Sequence, residues 1–166
     1  IAGAPDLTCL TALRDEAVVD HLYMRPVGSG VSISVGGKID PEQTRPLELK
    51  GVLVGQGETT GFGRAVVVRQ AKVNVVITEK SPAVMKPAFY QELGLSVRKA
   101  DIVVVKNFFP WRLFCALYNR KSVNIRTRGI TDLDAAKVLD FRDPMHPMES
   151  LSDWREADAR RRGVSL

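Results

Sequence analysis

Histidine and cysteine are scarce in this chain, which has two of each among its 166 residues. The cysteines, Cys9 and Cys115, lie far apart and form no Cys-x-x-Cys pair, so no disulfide framework is indicated. We interpret both as small buried hydrophobic residues in a reducing, cytoplasmic setting. HExxH, HxH and Cys/His clusters are absent, so the sequence contains no recognisable catalytic zinc site, which needs about three protein ligands.

Long apolar runs are also absent, since none approaches the roughly 18 residues that cross a bilayer. The first residues, IAGAPDLTCL, lack the basic region of a signal peptide and an initiator methionine. We therefore expect no membrane partner and infer either a processed chain or, as the favoured interpretation, a fragment of something longer. The length suits one domain, predicted over residues 1–166, with a terminal helix or a flexible tail over residues 150–166.

Two segments combine carboxylates with a histidine, and we interpret both as ordinary protein surface. The segment DEAVVDH is typical of a solvated helix face, and RDPMHPME is typical of an extended surface loop because of its prolines. Their potential metal ligands are Asp15, Glu16, Asp20, His21, Asp143, His146 and Glu149.

Positive charge is concentrated in the middle of the chain. Residues 80–128 contain ten Lys or Arg and two acidic residues, a net charge of +8 within an overall +5. Such a block attracts phosphates or carboxylates, although a solvated face or a surface covered by another domain has the same composition. Phe108, Phe109 and Trp111 lie within it, but no nucleic-acid-binding motif accompanies them, so that function is disfavoured.

The glycine-rich segment GQGETTGFG does not fit a phosphate-binding loop. Such a loop leads into a helix whose N-terminus meets the anion, whereas here a strand is predicted to follow. We interpret the segment as a flexible hairpin loop, with approach to a ligand or a partner domain as the alternative.

Hydrophobic spacing predicts a mixed architecture. One helix is expected over residues 7–23, capped by Asp6, followed by four strands. The second of these is predicted to bulge at Gly51, and the short QAK turn predicts an antiparallel hairpin between the third and fourth. Then come a helix ended by Gly94, the strand ADIVVVK buried on both faces, the helix PWRLFCALYNR, the strand KSVNIRTRG and the helix TDLDAAKVLDF.

The predicted fold class is therefore mixed α/β (α+β). We expect one mixed sheet, in which an antiparallel strand meander is followed by alternating helices and strands, with the helices packed on the sheet.

The stretch VVVKNFFPWRLF is a candidate anion site. A strand ending in Lys106 and Asn107 passes through a short turn into a helix that begins near Pro110 and contains Arg112. Ligands of open α/β sheets collect beyond the carboxyl ends of strands. Two interpretations stay open: a cationic ligand site, and two surface cations whose stems lie on apolar neighbours.

The order of several segments resembles the C-terminal domain of the MlrC (microcystinase C) family, whose members are inferred to be zinc metallopeptidases. The similar segments are VGSGVSISVGGKIDP, GRAVVVRQAKVNVVITE, YQELGLSVRKADIVVVK and PMHPME, and the resemblance covers nearly the whole chain. It implies that the zinc ligands and the catalytic acid lie in a larger N-terminal domain that is missing here. We accordingly expect no cofactor in this chain and no peptide hydrolysis by it alone.

The family's motif Lys-Ser-x-x-His-Phe-Arg implies roles for the candidate anion site. Lys106 and Arg112 match its two cations, and Asn107 replaces the serine. Pro110 and Trp111 replace the histidine and the phenylalanine, so a titrating side chain is lost while cationic binding is retained. The resemblance thus implies that Lys106, Asn107 and Arg112 bind a peptide-like or small carboxylate substrate.

Partners follow from the same resemblance. Gly36, Gly37 and Lys38 are expected to line the cleft or the interface with the N-terminal catalytic domain of the same protein. The alternatives are a structural module that forms a homo-oligomer and, less favoured, a nucleic-acid-binding module.

Overall fold

The computed structural model of the chain describes residues 6–39, 41–42, 44–84, 86–107, 110–125 and 154–164. The chain divides into two compact units, Ile1–Gly129 and Ile130–Leu166. The prediction of a single domain over residues 1–166 stays a prediction. Within the described ranges, no helix is both long and apolar enough to span a membrane.

The first unit is built on one mixed sheet. Its elements in chain order are β1 (Cys9–Arg14), α1 (Glu16–Leu22), β2 (Gly30–Val35), β3 (Leu47–Thr59), β4 (Gly63–Gln70), β5 (Val73–Thr78), α2 (Ala88–Glu92), a 3₁₀ turn (Val97–Lys99), β6 (Ile102–Val103) and α3 (Pro110–Phe114). The six strands lie in the order β2-β3-β4-β5-β1-β6. Strands β2 to β5 form an antiparallel meander, whereas β1 is parallel to both β5 and β6. The predicted fold class is confirmed.

Hydrophobic side chains cover the sheet on both faces. On one face, here called the α1 face, Val19 and Leu22 of α1 pack with the strand residues. On the other, the α2 face, Phe89 and Tyr90 of α2 and Trp111 of α3 pack in the same way. Successive residues of β4 and β5 point to alternate faces of the sheet. Because both faces are covered, these two strands are continuous apolar runs. Each fully buried valine contributes roughly 1.5–3 kcal/mol of transfer free energy.

The β2–β3 ribbon curls over the α1 face. In the strand pairing, the carboxyl ends of β1 and β2 point to opposite edges, yet the amide of Gly36 lies 3.1 Å from a carboxylate oxygen of Asp15. Within the ribbon, a Cβ atom on Gly51 would lie 2.2 Å from the carbonyl oxygen of Arg69. The predicted bulge at Gly51 is wrong, because the register shifts between Leu53 and Gly55.

The predicted helix over residues 7–23 is wrong in its first half. That half forms β1, and the helix begins at Glu16 with Asp15, not Asp6, as its N-cap. Leu10 and Leu13 fit helical spacing, but the strand lies between β5 and β6 and packs Leu10 on the α2 face and Leu13 on the α1 face. A short apolar run buried on both sides does not distinguish the two structures by its period.

The strand ADIVVVK is not buried on both faces. Its ordered part is the two-residue β6 at the edge of the sheet, where Ile102 and Val104 are exposed. In the helix that follows, Leu113, Phe114 and Leu117 recur at helical spacing but are exposed. A different pair, Trp111 and Cys115, faces the core. Tertiary contacts therefore determine which side of this helix is buried, and the spacing of apolar residues in the sequence does not.

Three further predictions concern loops and the end of the chain. Gly55–Thr59 of the segment GQGETTGFG extends β3, so the loop between β3 and β4 is only three residues long. No strand forms over residues 121–125, the described part of KSVNIRTRG, while its remainder and TDLDAAKVLDF lie outside the described residues. In the second unit, α4 (Trp154–Arg162) lies within the segment predicted as a terminal helix or tail.

Candidate substrate-binding edge of the sheet

Three parallel strands end at one edge of the sheet. Because β1 pairs in parallel with β5 and β6, their carboxyl ends point the same way. Beyond them follow Arg14 and Asp15 after β1, Thr78 to Lys80 at the end of β5, and residues 104–107 after β6. The amide of Val104 donates to the carbonyl of Leu10 at 2.8 Å, so this last segment continues alongside β1. We call this region the carboxyl edge.

The helices leave the carboxyl edge toward opposite faces of the sheet. The helix after β1 is α1, which packs on the α1 face, whereas α2 after β5 and α3 after β6 pack on the α2 face. Neighbouring parallel strands whose connections diverge in this way leave a crevice at their carboxyl ends. Ligands of open α/β sheets bind at such switch points. The topology thus places a candidate site at β1 and its two neighbours.

Asp15 is the most buried charged group at this edge. Its side chain is 1% exposed. One carboxylate oxygen accepts from the amide of Val18 at 3.3 Å and from the Nζ atom of Lys38 at 2.5 Å. The other accepts from the amide of Gly36 at 3.1 Å. The carboxylate therefore caps α1 and holds the loop after β2 at the carboxyl edge.

Two glycines give this loop its shape. Gly36 and Gly37 have φ angles of +74° and +69°, which side-chain-bearing residues rarely adopt. A Cβ atom on Gly37 would also lie 2.7 Å from the backbone nitrogen of Pro46. Close approach and backbone conformation both require glycine here, so the pair sets the position of Lys38.

Lys38 is not a free cation. Its side chain is half-exposed, but its ammonium group is paired with the buried carboxylate of Asp15. A buried charge without a partner is strongly destabilising, so each member of this pair keeps the other in place. Lys38 thus fixes the loop, and the loop itself is the part available to line a cleft.

A second set of ion-paired residues includes Glu79, which lies at the carboxyl edge. Arg64 bridges the carboxylates of Asp20 and Glu79 at 2.7 Å and 2.8 Å. The other oxygen of Glu79 accepts from the backbone amide of Arg64 at 3.0 Å, and Arg14 donates to the carbonyl of Glu79 at 3.2 Å. The side-chain hydrogen bond from Arg64 holds the pKa of Glu79 below its ordinary value. Glu79 is therefore a fixed anion and a poor proton acceptor at neutral pH.

The predicted substrate-binding residues lie on two elements. Lys106 is exposed and Asn107 half-buried, both in the segment that follows β6 at the carboxyl edge. Arg112 is exposed on α3, where its guanidinium donates to the Oδ1 atom of Asn124 at 2.8 Å. The joint binding of one ligand by Lys106 and Arg112 stays a prediction.

The carboxylates of DEAVVDH do not assemble a metal site. Asp15 is paired with Lys38, Glu16 with Arg14 and Asp20 with Arg64. In the described part of the chain, no group of three or more His, Cys, Asp or Glu side chains could hold a metal ion. The other candidate ligands, Asp143, His146 and Glu149, lie outside the described residues.

The interpretation of Asp15 as part of a solvated helix face is wrong. An aspartate directly before Glu-Ala-Val-Val is a good N-cap signal, and it could have been used to place the start of α1. The pairing with Lys38, 23 residues later, has no local signal.

The thiols are poorly placed for nucleophilic chemistry. Burial raises the pKa of Cys115 to about 11, and this residue lies in the core of the α2 face. Partial burial also raises the pKa of Cys9. The thiolate is the reactive form, so the raised pKa values lower the fraction of each thiol that is reactive at neutral pH.

Comparison with known proteins finds similar sequences and a similar structure. The family model described as MlrC C-terminus matches residues 2–141. Microcystinase C from Sphingomonas sp. is 24% identical over 115 residues, which cover 64% of this chain and 23% of that protein. A crystal structure from Mesorhizobium sp. BNC1, described as a putative metallopeptidase, has a TM-score of 0.74 at 22% identity, over 92% of this chain and 33% of its own. That structural similarity shows the fold alone, and most of each relative's length has no counterpart here.

Proposed function

This chain belongs to the MlrC C-terminal family, and we propose that it completes the substrate cleft of a longer metal-dependent hydrolase without supplying the metal ligands. The observation that carries the proposal is the carboxyl edge. It brings the loop of Gly36, Gly37 and Lys38 and the segment of Lys106 and Asn107 to one side of the sheet, at a topological switch point.

Lys106 is the cation at this edge that we assign to the substrate. Lys38 is neutralised by Asp15, and Arg64 by Asp20 and Glu79, whereas Lys80 and Lys106 are exposed, and of these two only Lys106 matches the family motif. An ammonium group there binds a substrate carboxylate through a charge-assisted hydrogen bond. The neighbouring amide of Asn107 can donate to a peptide carbonyl and accept from a peptide N–H.

Arg112 is assigned a second contact to the same anionic group. Its guanidinium carries five N–H donors, and the bond to Asn124 holds it on α3. The remaining donors are suited to a carboxylate or to a developing oxyanion. Pro110 stands between the two cations and neither donates nor titrates, so we assign no proton transfer to this segment.

The metal-dependent step is proposed to belong to the rest of the longer polypeptide. Zinc in a hydrolase lowers the pKa of its bound water and polarises the carbonyl. The residues of this chain bind and orient the substrate, and the loop held by Asp15 lines the cleft. We propose a cytoplasmic setting, which suits its two free thiols.

Kinetics of the metal-loaded longer protein test this function. Lys106→Ala should lower kcat/KM for a peptide with a free carboxylate by about tenfold to a hundredfold, the loss expected of one charged hydrogen bond. Arg112→Ala should give a loss in the same direction. Lys99→Ala is the matched control, since Lys99 is an exposed lysine just before β6, away from the carboxyl edge. Unchanged turnover in both Lys106→Ala and Arg112→Ala would contradict the proposal.

A further inference from the structure

The helix α3 has apolar side chains on two sides. Trp111 and Cys115 face the core of the α2 face, while Leu113, Phe114 and Leu117 are exposed. The amide of Cys115 donates to the carbonyl of Trp111 at 2.9 Å, so the helical turn continues past Phe114. Besides Arg112, the exposed side thus carries three large apolar residues. Such a side is suited to contact with a partner.

The segment that follows α3 is hydrogen-bonded to it and also exposes apolar side chains. The bond from Arg112 to Asn124 joins α3 to residues 121–125. In that segment Val123 and Ile125 are exposed as well. We call Leu113, Phe114, Leu117, Val123 and Ile125 the α3 surface. Neighbouring exposed apolar residues of this kind mark protein interaction sites.

The rim of the α3 surface is basic. The ammonium group of Lys86 lies 5.0 Å from the ring centroid of Phe114. Arg112, Arg120 and Lys121 lie in the same stretch of sequence, in which residues 102–131 contain no aspartate or glutamate. Complementary charge favours the right partner and disfavours others. The expected partner is thus apolar at its centre and acidic at its rim.

We propose that the α3 surface docks on the metal-binding domain of the same longer polypeptide. This inference rests on the proposed function, because it needs that second domain. The relatives supply the size argument: the chain covers 23% of microcystinase C and 33% of the Mesorhizobium protein, so both have a large further part. Domains within one chain typically bury about 600–1,500 Å² against each other, which a surface of several large side chains can provide.

Thiol labelling tests the docking directly. Leu117→Cys and Met24→Cys are matched, since the native residues are 88% and 87% exposed, and Met24 lies just after α1, which packs on the other face of the sheet. In the longer protein, an alkylating reagent should modify Leu117→Cys about tenfold or more slowly than Met24→Cys. Peptide mass spectrometry reads each thiol separately from Cys9 and Cys115. In guanidinium chloride the two rates should become equal.

Three results would overturn the docking proposal. Equal rates in the folded longer protein would show that the α3 surface is uncovered there. Protection already present in residues 1–166 alone would assign the cover to this chain itself. Protection that increases with protein concentration would assign it to a second copy. The kinetic test of Lys106→Ala is independent, so the substrate role can fail while the docking result stands.

Discussion

At the scale of single residues, the carboxylate of Asp15 is the group on which the candidate site depends most. It accepts hydrogen bonds from Val18, Gly36 and Lys38. Asp15→Ala removes a helix cap and leaves the ammonium group of Lys38 without its partner. We expect a loss of about 2–4 kcal/mol in the free energy of unfolding, measured by urea denaturation.

Asp20→Ala is the control for this loss. Asp20 is exposed and pairs with Arg64 at the surface, so its removal should cost less than about 1 kcal/mol. Equal losses in the two variants would contradict the structural role given to Asp15.

Glu79 gives a pH dependence with a defined sign. Its pKa is lowered below the ordinary value of 4.5 by the hydrogen bonds from Arg64. A lowered folded-state pKa contributes stability that is present above the unfolded pKa and is lost as the pH falls through the folded one. Urea midpoints should therefore fall with acidification below about 4.5.

In Glu79→Gln, the fall of the urea midpoint with acidification should be smaller than in the native chain. Glu58→Gln, at an exposed position of β3, is the control and should follow the native curve. If the urea midpoints of Glu79→Gln and of the native chain fall equally with acidification, the stabilising contribution assigned to the pair with Arg64 is contradicted.

At the scale of elements, the packing of β3 against β4 depends on Gly51. A methyl group there would meet the carbonyl oxygen of Arg69 at 2.2 Å. Gly51→Ala should cost about 1–3 kcal/mol, the usual penalty for overpacking, as measured by urea denaturation.

Gly30→Ala should change the free energy of unfolding by less than about 0.5 kcal/mol, since no atom lies within 4 Å of the point that its new methyl group would occupy and its φ angle is not positive. Equal effects at both glycines would show that close approach at Gly51 does not constrain the packing of β3 against β4.

The elements also show how far sequence reasoning reaches. β2 was predictable because Val31, Ile33 and Val35 alternate with serines, and the β4–β5 hairpin because a short turn joins two strand-like runs. β1 was not, because its burial comes from β5 and β6, which lie far away in sequence. The buried side of α3 was missed for the same reason: both sides are apolar, and tertiary contacts select Trp111.

The candidate site was predictable only in part. Lys106, Asn107 and the glycine loop follow from the motifs of the resemblance, and the end of a strand is a common place for a ligand. The arrival of the glycine loop at the carboxyl edge required the curl of the β2–β3 ribbon. The pairing of Lys38 with Asp15 depends on that same curl. Lys38 follows β2 and Asp15 follows β1, and the strand pairing alone would place the carboxyl ends of these two strands at opposite edges of the sheet.

At the scale of the whole molecule, two exposed features of the chain have separate proposed roles. The carboxyl edge is proposed to bind an anionic substrate group, and the α3 surface is proposed to pack on another domain. Lys106 and the whole α3 surface lie in the basic middle of the sequence, where residues 80–128 have a net charge of +8. This charge attracts an acidic substrate and an acidic interface alike.

The central claim is that Lys106 binds a carboxylate of the substrate, and one measurement tests it most directly. In the metal-loaded longer protein, kcat/KM is compared for a peptide with a free carboxylate and for the same peptide as its amide. The native protein should favour the carboxylate by about tenfold or more, and Lys106→Ala should lose most of that preference. The same preference in both proteins would contradict the account.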